Sequence, residues 1–160
     1  MDCSKARSLK PAWGRQDRGC SEQHQRLGDL GGTVMTGAVI ARFEKADEVR
    51  TFEKGKFELV RIGGMTVGRA TYEPGWKWSE HVGRALGKRS CDVEHVGLVV
   101  SGRAAVAMDD GQVFEIKPGD LFHIGPGHDS WVIGAEPYVS LHLMGASHYA
   151  VNKSAAPKDT

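Results

Sequence analysis

Between Gly75 and Trp131 the chain repeatedly breaks short extended runs with glycine-bearing turns, and this punctuation limits the fold more than any other feature. The runs read HVGLVVS, RAAVAM, QVFEI, LFHI and SWVI; the breaks read SG, DDG, KPGD and GPGH. Glycine accepts backbone at positive φ, and Asp-Gly between two extended runs marks a hairpin. Extended runs recurring about every ten residues argue for an all-β sandwich or barrel. Twenty-one glycines in 160 residues point the same way, away from a helix bundle.

Upstream, Lys56–Ile62 and Met65–Tyr72 alternate as strands should, and a short extended piece is expected near Ala38–Phe43, with a polar connection through Ala46–Val49. GWKWSEHV is expected to remain extended and GRALGKRS to form a basic loop, with PYVSLHLM as the last strand. Residues 1–36 show neither strand nor helix periodicity and bury too little to offset ordering, so a disordered or loosely attached arm is expected there. Met35 directly precedes the patterned region and offers a second start besides Met1. The barrel domain is expected over 37–145 and a short C-terminal tail over 146–160.

A net charge of +1 gives no field for nucleic acid or an anionic membrane, and no partner of either kind is expected. No apolar run approaches the ~20 residues of a transmembrane helix, and the N-terminus lacks a secretory apolar stretch. Cys3, Cys20 and Cys91 are odd in number and widely spaced, which fits a reducing compartment; the expected location is the cytoplasm. Phosphate-binding loops and a G-x-S-x-G elbow are missing from the sequence.

The segment as a whole resembles the cupin superfamily of small jelly-roll barrels. Gly75, five residues and His81 match the opening of the first cupin motif, while His95, six residues and Gly102 match its close, with histidine in place of glutamate. Counted back from His95, Cys91 takes the place of the second motif histidine. Gly119 and Gly127 match the second motif, where Pro126 stands one place late and Ser130 occupies the histidine position, two residues after His128. The resemblance covers about Gly37 to Gly145 and implies a single-domain cupin-type jelly-roll β-barrel, all-β, with a homodimer as its common assembly.

What the resemblance implies for chemistry is a divalent transition metal, with Fe, Zn, Mn, Ni and Cu all open, or a barrel without metal. Imidazoles with a thiolate or carboxylate are ordinary ligands for such ions. The candidate ligands are His81, His95 and His128, with Cys91 or Glu80 as a fourth. Alternation sets limits: on a regular strand Trp76, Trp78 and Glu80 share one face and His81 the other, whereas His95 shares its face with Gly97 and Val99. Trp78, Ser130, Trp131 and His142 are the candidate pocket residues. His123 reads as a surface or hydrogen-bonded histidine, and Cys91 equally as a small buried hydrophobe. The functional expectation is a metal-dependent oxygenase, isomerase or decarboxylase, or a metal-dependent sensor, with a small organic molecule in the barrel; the alternative is a metal-free binding or regulatory cupin.

Overall fold

The computed structural model describes residues 37–151. The arm expected over 1–36 and the end of the tail, 152–160, lie outside the described residues. Nine strands follow one another: β1 (Glu48–Phe52), β2 (Gly55–Ile62), β3 (Met65–Tyr72), β4 (His95–Ser101), β5 (Arg103–Met108), β6 (Val113–Ile116), β7 (Leu121–Ile124), β8 (His128–Ile133) and β9 (Tyr138–Met144). They form a six-stranded sheet in the order β1-β2-β3-β9-β4-β7 and a three-stranded sheet in the order β6-β5-β8, every named pair antiparallel. The domain is all-β and cupin-like.

Alternation decides which side chains meet between the sheets. Phe57 and Leu59 of β2, Ala70 and Tyr72 of β3, His95 and Val99 of β4, Phe122 of β7, and Tyr138, Ser140 and His142 of β9 are all buried. Ala104 and Val106 of β5 with His128 and Val132 of β8 are buried from the smaller sheet. Trp76 stacks on Tyr72, ring centres 3.7 Å apart and planes within 8°. Aromatic rings contribute large buried areas, so this stack and Trp78 fill much of the barrel end.

Three local expectations change. The first strand is Glu48–Phe52 and not Ala38–Phe43; it pairs with β2 through Phe52 and Gly55. The turn between them puts Lys54 at φ 59°, a conformation usually left to glycine or asparagine, so no turn signal announced it. Second, GWKWSEHV does not stay extended: after a single bridge from Lys77 to Trp131, Ser79–Gly83 forms a wide helical turn continuing into Arg84–Leu86. The Asp129 carboxylate accepts from the Ser79 backbone N–H at 3.0 Å and from its hydroxyl at 2.8 Å, satisfying a helix-start donor from 50 residues away. Third, packing runs past Gly145: Ala146 and Tyr149 are buried, the Tyr149 hydroxyl lies 2.8 Å from that of Tyr72, and the Arg50 guanidinium donates to the carbonyls of Ala146, Ser147 and Tyr149. Among the described residues no helix is long and apolar enough to cross a membrane.

Candidate metal centre

Two neighbouring segments bring the first donors together. The backbone N–H of Cys91 donates to the His128 carbonyl at 2.7 Å, and that of Gly127 to the Cys91 carbonyl at 2.7 Å, so Cys91 is bolted to the start of β8. Four residues on, His95 opens β4 with its ring turned inward; Cys91 Sγ and His95 Nε2 are 3.5 Å apart. Gly145 closes in behind that ring: a Cβ there would stand 3.0 Å from His95 Nδ1 and 2.1 Å from the Glu94 carbonyl, so only glycine fits. Each of Cys91, His95 and His128 offers a ligand atom within 4.8 Å of the other two, and all three side chains are buried.

His128 donates from Nδ1 to the Gly125 carbonyl at 2.7 Å when that nitrogen carries its proton, a bond that fixes the ring and leaves Nε2 as a lone pair. Among the described residues the buried Nδ1 atoms of His95 and His142 have no partner, and neither do the indole nitrogens of Trp76 and Trp78. Burial pushes the His95 imidazole down to about 2 and His142 down to about 4, with neighbouring histidines adding to both; burial also lowers His128. These rings are neutral at pH 7, the form that binds metal. Burial raises the Cys91 thiol to about 11, so without a cation beside it the sulfur keeps its proton.

The remaining expected residues have other positions. His81 is on the helical turn and is not in the group of three; its Nδ1 accepts from the Lys77 N–H at 3.0 Å. Glu80 is exposed and sits 3.7 Å from the Lys77 ammonium. His81 came from the motif spacing and Glu80 from an extended run; the helical turn held at Ser79 by Asp129 instead leaves Glu80 exposed and His81 half-buried, away from the group of three. Trp78 and Ser130 line the interior cavity, as do His95, His128 and His142. Trp131, one residue from Ser130 on β8, faces the opposite way and borders a shallow outer cleft with Lys77 and Glu80. His123 is exposed and bonds the Glu94 carboxylate at 2.7 Å.

His142 is the residue the sequence left undecided. It lies on the face of β9 opposite Val139 and Leu141, and aliphatic side chains ordinarily mark the inner face. Here the inner face carries Tyr138, Ser140 and His142. The interior cavity is small, about 40 Å³. A separate cleft of about 670 Å³ opens outside it, where Trp78 and Cys91 form part of the wall with Val93, Met144 and His148.

With this geometry in hand the likeness to solved structures can be stated. A variant of Bacillus subtilis oxalate decarboxylase superposes with a TM-score of 0.50 and 25% identity, over 71% of this chain and 31% of that one. The chain thus spans about a third of that enzyme's length. The fold is cupin-like. A structure of the same enzyme, concerned with its Mn(II) centres, gives 0.46 and 25% over 66% and 30%. A protein of unknown function from Rhizobium leguminosarum bv. viciae 3841 gives 0.49 and 19% over 68% and 96%. No protein-family model and no curated protein matches the sequence.

Proposed function

We propose that the chain is a metal-binding cupin whose divalent transition ion is held by Cys91, His95 and His128. The observation that carries this reading is the buried group of three donors, with ligand atoms within 4.8 Å, contributed by the segment before β4, by β4 and by β8. His95 turns Nε2 toward the Cys91 sulfur at 3.5 Å, and the Gly125 carbonyl leaves His128 Nε2 free, so both rings offer that nitrogen to an ion. The Mn(II) centres of oxalate decarboxylase lend a precedent for metal in a fold of this kind. When bound, such an ion supplies a Lewis acid or a redox centre. The protein's part is to fix the rings, exclude water and release the Cys91 proton on binding.

Elemental analysis of tag-free protein tests the reading, with His95→Ala as control. A stoichiometric transition metal that the variant loses supports it; wild-type protein that stays folded and takes up no metal when supplied overturns it. The second reading, a metal-free barrel binding a small organic molecule, is favoured by the 670 Å³ cleft beside Trp78 and Cys91, which falls within the ordinary range of ligand sites. A homodimer is supported by the outer face of the larger sheet, where Leu98, Val100, Leu121, Leu141 and Leu143 form an aliphatic stripe with Leu121 71% exposed. Sedimentation at micromolar concentration reads that assembly directly.

A further inference from the structure

We infer that His142 is a fourth donor, and that Cys91, His95, His128 and His142 together hold a thiophilic ion such as Zn(II) or Co(II) in preference to Mn(II). This rests on the reading of Cys91, His95 and His128 as ligands.

His142 stands at the centre of the six-stranded sheet, and both its cross-strand neighbours are glycines, Gly68 on β3 and Gly97 on β4. Neither could bear a side chain: a Cβ on Gly68 would lie 2.3 Å from the Phe57 ring, and one on Gly97 would lie 2.5 Å from the Phe122 ring. The two phenyl groups fill the space the glycines leave and meet the imidazole edge-on, at centre distances of 5.2 and 5.6 Å. The sheet therefore builds a slot that holds one imidazole between two phenyl rings. The residue is 7% exposed; among the described residues its Nδ1 has no partner, and its one hydrogen-bond contact is Nε2 to the Ser140 hydroxyl at 3.2 Å.

His95 is the hinge of the arrangement. Its ring centre is 5.4 Å from that of His128 and 5.1 Å from that of His142, with planes at 75° and 87°. Two imidazoles on one tetrahedral ion have centres roughly 5 Å apart, given metal–nitrogen bonds of about 2.0–2.1 Å. His142 is outside the tight group of three, so its ring has to turn from Ser140 to join.

Donor chemistry then selects the occupant. None of the four donors is a carboxylate, the ligand that hard ions such as Mn(II) favour; one thiolate with imidazoles suits zinc-like ions. The cavity that the imidazoles line is small, about 40 Å³, against about 670 Å³ for the cleft that Cys91 lines. A four-donor centre follows, with the three imidazoles on the interior cavity and Cys91 on the outer cleft, where an organic ligand would sit.

Chelator-stripped, tag-free full-length protein is titrated with Co(II), Zn(II) and Mn(II). The wild type should give intense visible Co(II) bands and a near-ultraviolet sulfur-to-cobalt band, and bind Zn(II) at least 100-fold more tightly than Mn(II). His142→Gln should weaken Co(II) at least tenfold and lower the visible intensity, keeping the sulfur band. X-ray absorption on the Zn-loaded wild type needs no variant and should count one sulfur and three imidazoles. One sulfur with two imidazoles, a His142→Gln spectrum identical to wild type, or Mn(II) binding as tight as Zn(II) overturns the inference and leaves the three-donor centre standing. No Co(II) or Zn(II) uptake at all overturns both.

Discussion

The larger sheet carries a buried polar cluster on each face, and the two are built to opposite rules. On the outer face Glu58, 5% exposed, receives Arg69 at 2.8 and 3.1 Å and Lys56 at 3.0 Å, so every buried charge has a partner. On the inner face His95 and His142 are buried as deeply, yet among the described residues each keeps a nitrogen with no partner. A satisfied cluster needs nothing further to be stable. An unsatisfied one costs stability until something enters it, and that difference separates a structural feature from a binding site.

Removing one member of each cluster should therefore have opposite consequences. His95→Leu should weaken Zn(II) or Co(II) binding by about three orders of magnitude, read by competition with a chromophoric chelator, while metal-free stability changes by less than about 1 kcal/mol. Glu58→Gln should do the reverse. Urea denaturation should show a loss of about 2–3 kcal/mol, below the fully buried limit because Arg69 keeps 25% of its side chain in water, and metal affinity should not move. If Glu58→Gln impairs metal binding, or His95→Leu unfolds the metal-free protein, the contrast between the faces is broken.

Acid provides the next test. His95 and His142 titrate near their ordinary value when unfolded but only at about 2 and about 4 when folded, because burial penalises the charged ring. The unfolded chain binds protons first, so stability is complete above about pH 6.5 and falls below it. Each histidine removes up to about 1.4 kcal/mol per pH unit, His142 until about pH 4 and His95 beyond. Hydrogen bonding from Arg69 holds Glu58 below the usual carboxylate range, so its contribution is present above about pH 4.5 and lost only as pH falls through that lower value. Metal-free melts against pH should lose stability from pH 6.5 downward, and a His95→Leu/His142→Phe double variant should make that loss shallower, leaving the share of the buried His128. The smallest effect is expected at the surface: His123→Ala breaks an exposed pair with Glu94 and should change stability by no more than about 0.5 kcal/mol, with no effect on metal.

The strands from His95 to Met144 were legible because their turns are local chemistry, with Asp-Gly and Pro-Gly marking the breaks. Strand β1 was not, since a lysine took the strained turn position. Of the centre, His95 could be read from the alternation of a strongly apolar strand. The displacement of His81 could not, because the carboxylate that starts the helical turn belongs to Asp129, 50 residues downstream. His142 was visible as a residue and ambiguous as a position: pattern alone places aliphatics inward, and here the aliphatic face turns out instead.

The paired backbone bonds between Cys91, Gly127 and His128 bear on how the protein could report what it carries. Two of the proposed donors are tied through the main chain without an ion, so on the proposed reading filling the site would need little movement of the scaffold there. Small zinc-dependent domains announce their cargo by folding around it. A cupin-like domain prearranged in this way would look alike outside in either state, and anything downstream would have to detect the ion itself, through its reactivity or its transfer.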